Sequence, residues 1–114
     1  MFSAHDDVHL RLRPGGEWHS TGKGPSTPRE WAALEDYMGL FEHCEILIEK
    51  KLIDLETFRA LFSYRLGNII VNPIIVNVKL VREKKGWKHF IRLLDRLDIQ
   101  VPQRSPDPTL DSSG

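Results

Sequence analysis

The stretch ALEDYMGLFEHCEIL, residues 33–47, sets acids, a histidine and the single cysteine of the chain within a few positions of one another. His43 beside Cys44 is the pair that a thiol nucleophile and its base require, provided the two side chains meet. On a helix they do not. Each residue turns the helix by about 100°, so sequence neighbours do not face each other. Counted from Glu35, the residues Tyr37, Met38, Leu40, Phe41, Cys44 and Ile48 share one broad apolar arc, and His43 lies outside it. Apolar surroundings also raise a thiol pKa, the wrong direction for a nucleophile. Cys44 is therefore expected in the core and His43 on its rim.

Metal chemistry fares no better. Helical ligands belong three or four residues apart on one face. Asp36 and His43 are seven apart, about 10 Å along the axis, and Glu42 with Glu45 have no histidine at ligand spacing. His5 and His9 in HDDVH have that spacing only if their segment is helical, and its alternation reads as extended. No catalytic residue, metal or cofactor is expected, and the chain reads as a non-enzyme.

The charges form a larger pattern. Glu35, Glu42 and Glu49 recur every seven residues with Glu45 beside them, an acidic stripe along the apolar arc. From Glu30 to Glu56 eight acids face two lysines, a net of −6; from Lys79 to Arg104 eight basic residues face three acids, a net of +5. The chain as a whole is neutral, so its balance does not point to nucleic acid. Either the acidic and basic helices pack on each other, the simpler arrangement, or one charged face stays open for a partner. Surface pairs contribute only about 0–1 kcal/mol each, so they would select the arrangement more than stabilise it. In the basic segment Lys84, Lys85, Lys88, Arg92 and Arg96 accompany Trp87 and Phe90, the mixture of a polyanion footprint and a stacking platform. A basic amphipathic helix also suits a membrane surface. Tyr64, Arg65 and Asn68 share one side of a helix with Leu61 and could form a directional hydrogen-bonding surface.

The elements that must position these residues are mostly helical. Residues 1–27 are rich in Gly, Ser, Thr and Pro, and Val8, Leu10 and Leu12 alternate with His9, Arg11 and Arg13 before Pro14-Gly15-Gly16. That pattern predicts a short strand or hairpin, with Glu17-Trp18-His19 as the return. Thr27-Pro28-Arg29-Glu30 is a helix start, with Thr27 as N-cap and Glu30 bonding back reciprocally. That helix is expected to reach Lys51. Asp54 caps a second, with Leu55, Phe58, Phe62, Leu66 and Ile69 at helical spacing, and Asn72-Pro73 interrupts it. The β-branched run Ile74 to Val78 fits helix or strand, and its helical neighbours favour helix. A last helix follows Gly86. The proline-rich end, residues 99–114, reads as a disordered tail.

The order EDYMGLFEHCEILIEKKLIDLETFRALFSYRLGNI, followed downstream by WKHFIRLLDRL, resembles small uncharacterised bacterial helical proteins. Phe41, Glu42, Leu52, Ile53, Asp54, Phe62, Tyr64, Arg65, Asn68 and Trp87 carry the resemblance, which covers roughly residues 31–97. It implies a helical fold in a bacterial setting and no particular activity. Relatives of this kind often carry a membrane-spanning segment before the helical region, and none is read here.

The expected architecture is thus mostly α: a small bundle of three to four helices over residues 28–98, a short N-terminal extended segment, and a tail. A signal peptide is not apparent, and the run IIVNPIIVNVKLV is too short and too interrupted to span a bilayer. With one cysteine and no internal disulfide to make, a cytoplasmic setting is expected. The expected function is a non-enzymatic protein–protein interaction module, with a protein or a second copy as partner. Its candidate contacts are Glu35, Glu42, Glu45, Glu49, Tyr64, Arg65 and Asn68. Nucleic-acid binding through the basic last helix is the alternative.

Overall fold

A computed structural model of the chain describes residues 4–19 and 22–101. Five α-helices follow in order: α1 (Ala4–Leu12), α2 (Pro28–Glu49), α3 (Leu55–Ile70), α4 (Pro73–Ile75) and α5 (Lys88–Arg96). A π-helical turn, Val76–Arg82, continues α4, and a 3-10 turn, Lys84–Trp87, leads into α5. No strand occurs among the described residues. The fold is the expected small all-α bundle. Most of the expected tail, residues 102–114, lies outside the described part.

Local signals set most boundaries. The Thr27 hydroxyl accepts from the Glu30 N–H at 3.1 Å. The Glu30 carboxylate is held chiefly by the N–H and hydroxyl of Ser26, at 2.8 and 3.2 Å, and by Arg11. α2 stops at Glu49, two residues short of the expected Lys51, in a Schellman turn. The N–H of Leu52 reaches the Leu47 carbonyl at 2.9 Å and that of Lys51 reaches Ile48 at 2.9 Å, with Lys51 left-handed at φ 62°. Asp54 caps α3 by accepting from the Thr57 N–H at 2.9 Å.

The N-terminal segment departs from expectation. Residues 4–12 form a helix, and Val8 and Leu12, four apart, point together into the core at 1% exposure each. Three apolar residues at steps of two are too few to separate a strand from one helical turn, and burial of Val8 and Leu12 on one side selects the helix. The return is a loop, with the Trp18 N–H donating to the Arg11 carbonyl at 2.8 Å. Gly16 is required there, because a Cβ would lie 2.3 Å from the Leu10 carbonyl oxygen. Trp18 is buried beneath the Arg11 guanidinium, 5.1 Å from the ring centre.

α2 is the central helix, with α1 and α5 packed along it. Its aromatic side joins α3 through edge-on contacts of Phe41 with Phe58 and Phe62, with Tyr37 edge-on to Phe41. From α5, Phe90, Leu93 and Leu94 complete the core at 0–1% exposure. Asn72 makes the corner after α3. Its Oδ1 accepts from the N–H groups of Ile74 and Ile75 at 3.0 and 3.1 Å, and its Nδ2 donates to the carbonyls of Trp18 and Lys23 at 2.9 and 2.8 Å. The chain bends there by 81°. The β-branched run is helical, as favoured. Among the described residues no single helix is long and apolar enough to cross a membrane; α3 and Pro73–Arg82 reach that length only together, across the bend. Their apolar residues Leu66, Ile69, Ile75 and Val76 are buried in the core.

Candidate functional site

Each carboxylate of the acidic stripe of α2 has a partner within the chain, although only Glu45 is buried and Glu35 and Glu49 stay exposed. Glu35 is ion-paired with Lys79 of the π-turn. Glu42 accepts from the Phe90 N–H at 3.1 Å, and so supplies from another helix the cap that α5 lacks in its own sequence. Glu45, at 1% exposure, accepts from His89 Nδ1 at 2.8 Å and Arg96 Nε at 3.0 Å. Glu49 is ion-paired with the same guanidinium. The bases of α5 and the π-turn pair with this edge; Glu45 is sealed from an external partner, while Glu35 and Glu49 remain exposed at the rim. Arg96, a candidate for polyanion contact, is also drawn inward.

Lys79 is the feature the sequence concealed. It sits in an apolar run, yet it is buried at 3% exposure with its ammonium bonded to Glu35 and, at 2.9 Å, to Glu83. Trp31 and Trp87 flank it, their ring centres 5.2 and 5.8 Å from the nitrogen. Burial by itself lowers a lysine pKa, but the bonds to Glu35 and then Glu83 prevail and hold it above the usual value. The one available sequence signal was Glu83 four residues later, within reach on a helix.

The remaining bases behave differently. Arg82, Lys84, Lys85, Lys88 and Arg92 are all exposed, and none forms an ion pair with a described residue. On α5, Lys88 and Arg92 lie one turn apart on the side away from Phe90 and Leu94.

Tyr64, Arg65 and Asn68 do not form one accessible surface. Tyr64 is exposed at 57% and meets the His9 ring edge-on, 5.8 Å between centres. Arg65 is half-buried; burial works against its charge, but hydrogen bonds to Tyr37 and Tyr64 hold its pKa above the ordinary value. Asn68 is buried at 9% exposure, with no hydrogen-bond partner for its Nδ2 among the described atoms. His43 is exposed, about 120° around α2 from Tyr37, and so lies away from the Arg65 cluster. Cys44 packs against the core, and burial raises its thiol pKa. Because α1 is helical, the alternation that spoke against a His5–His9 face does not hold, but His9 is turned to Tyr64.

Two clefts open on the surface. One, of about 350 Å³, is lined by Glu17, Trp18, Lys23 and Glu30 among others; a second, of about 430 Å³, lies between Ile48, Lys51, Asp54 and Arg96. None of the sequence candidates except Arg96 lines either. No three His, Cys, Asp or Glu among the described residues are grouped to hold a metal ion. No family model, curated protein or solved structure matches this chain.

One open helix side is apolar. Ala60, Tyr64, Gly67 and Val71 recur at steps of four, three and four along the outer side of α3, flanked by Leu61. Leu61, Tyr64 and Val71 are 58%, 57% and 43% exposed, and a Cβ at Gly67 would meet nothing within 4 Å.

Proposed function

We propose that this chain is a non-enzymatic helical interaction module that self-associates through the outer side of α3. One observation carries it: Leu61 and Tyr64 stand out of the protein one turn apart, beside the uncharged positions Ala60, Gly67 and Val71, with the half-buried Arg65 at the edge. A neutral stripe meets its own copy without like-charge repulsion, as an isologous two-fold contact requires. Ala60 and Gly67 allow a second backbone to approach closely, and the large side chains between them fill the gaps. The acidic stripe takes no part, since its carboxylates are engaged within the chain.

Size-exclusion chromatography with light scattering tests this across concentration. The wild-type mass is expected to rise toward a dimer in the range of tens to hundreds of micromolar. Leu61→Glu with Tyr64→Glu is expected to hold the monomer, and Gly67→Leu to weaken the dimer while leaving the fold intact. A monomer mass at every concentration would overturn the proposal.

A further inference from the structure

We infer that the exposed basic corner of residues 82–92 binds the phosphodiester backbone of duplex nucleic acid. The bases of residues 79–96 divide into two groups. Lys79 and Arg96 point at α2 and neutralise Glu35, Glu45 and Glu49, and His89 bonds to Glu45 beside them. Arg82, Lys84, Lys85, Lys88 and Arg92 point outward with no ion pair to a described residue. The inward group takes up the acids that would otherwise quench the outward one. Glu83, the carboxylate within the corner, is held by Lys79 and by the Trp87 indole N–H. Asp95, exposed one turn beyond Arg92, bounds the patch. A local concentration of cations on a neutral chain thus survives folding, carried by the end of the π-turn, the 3-10 turn and α5.

The neighbourhood decides which polyanion fits. Single strands are held by bases stacking on open aromatic rings, and Trp87 is not open for that. It is half-buried, with Phe90 edge-on 6.5 Å away, the Lys79 ammonium over its ring and its N–H directed at Glu83. A membrane surface needs apolar side chains to insert beneath the cations. Of the apolar residues of α5, Phe90, Leu93 and Leu94 are 0–1% exposed and committed to the core and Ile91 is partly buried against it, which leaves Val81 of the π-turn. Phosphate contacts without base reading, as on a duplex backbone, match what the corner offers.

Fluorescence anisotropy with a labelled 20-base-pair DNA duplex, and the same sequence as an RNA duplex, tests this between 50 and 250 mM NaCl. Binding is expected at low salt to both duplexes. The slope of log K against log salt is expected near −3 to −4.5, at about −0.9 per phosphate neutralised for three to five contacts. Lys84→Glu with Lys88→Glu is expected to weaken binding tenfold or more. Arg29→Glu with Lys50→Glu makes the same change in net charge at exposed positions outside the corner, and is expected to weaken it less than twofold. Amide shifts of the wild-type protein on adding duplex should cluster at residues 82–92, a readout independent of any variant. Equal loss in both variants, no binding at 50 mM, tighter binding to single strands, or binding to phosphatidylserine vesicles alone would each overturn the assignment.

Discussion

Glu45 on α2 and Arg96 on α5 meet at 3.0 Å across the helix interface, with the carboxylate almost entirely sealed from water. A buried carboxylate is tolerable only while its donors stay in place. Arg96→Leu removes one and leaves His89 as the other. The expected cost is about 3 kcal/mol, because breaking a buried pair from one side strands the remaining charge. Glu45→Leu with Arg96→Leu removes the charge as well and should recover part of the loss. Urea unfolding followed by circular dichroism measures both. A double variant as unstable as the single one would show that the stranded charge is not the cause.

Lys79 makes stability depend on alkaline pH. Its pKa is higher in the folded chain than in the unfolded one, since Glu35 and Glu83 outweigh the effect of burial. Its contribution is therefore complete below the ordinary lysine value and lost as pH rises through the raised folded value. Lys79→Met keeps the stem between the tryptophan rings and removes the charge. A loss of about 1–2 kcal/mol is expected at neutral pH, with a flatter decline in urea midpoint above pH 10. An unchanged alkaline decline would assign that limb to other groups.

Asn72 fastens the N-terminal loop to the corner after α3. Its amide serves as helix cap and as donor to two loop carbonyls, fully buried. Asn72→Ala leaves those groups without partners, and a loss of about 3 kcal/mol is expected. Asn72→Asp should be worse, because an oxygen replaces the Nδ2 that faces the Trp18 and Lys23 carbonyls. Thermal unfolding of the two variants orders them; Asp tolerated better than Ala would contradict the hydrogen-bond assignment.

Asp54 gives an acid limb. The Thr57 N–H and then its hydroxyl hold the Asp54 carboxyl below its ordinary pKa. That contribution is present above the unfolded carboxylate pKa and disappears as pH falls through the lower folded value. Asp54→Asn retains a capping oxygen and should flatten the acid limb with little change at neutral pH. Asp54→Ala should lower stability at both. Far-UV melts between pH 2 and 7 distinguish these outcomes.

Lys51 occupies a left-handed conformation that costs a side-chain-bearing residue about 1 kcal/mol. Lys51→Gly should therefore raise stability by about that amount, visible as a higher melting temperature. A decrease would mean that the lysine side chain makes a contact worth more than the strain.

Much of this architecture was legible because it rests on contacts between residues close in sequence. Thr27 and Asp54 bond to N–H groups three residues on, so their caps can be recognised without knowing what surrounds them. The same holds for the core side of α2, where Cys44 and His43 separate by helical angle alone. The N-terminal helix was misread because Val8, Leu10 and Leu12 satisfy either period over so short a run. Helical spacing groups Tyr64, Arg65 and Asn68, but packing decides their exposure: Tyr64 is open, Arg65 half-buried and Asn68 buried.

By itself, the sequence determined α2 and α3 with their caps Thr27 and Asp54, the helix after Gly86, and the separation of acidic from basic segments along the chain. Only the tertiary structure decided that α2 and α5 turn their opposite charges toward each other and bury Glu45, that Lys79 lies between two tryptophans, and that Lys84, Lys88 and Arg92 stay outside. Those relationships join residues more than forty positions apart, and charge pattern cannot say which side of a helix its neighbour will cover. Burial of Phe90, Leu93 and Leu94 fixes the rotation of α5, and that rotation sorts its bases into those that neutralise the protein's own acids and those left for a partner.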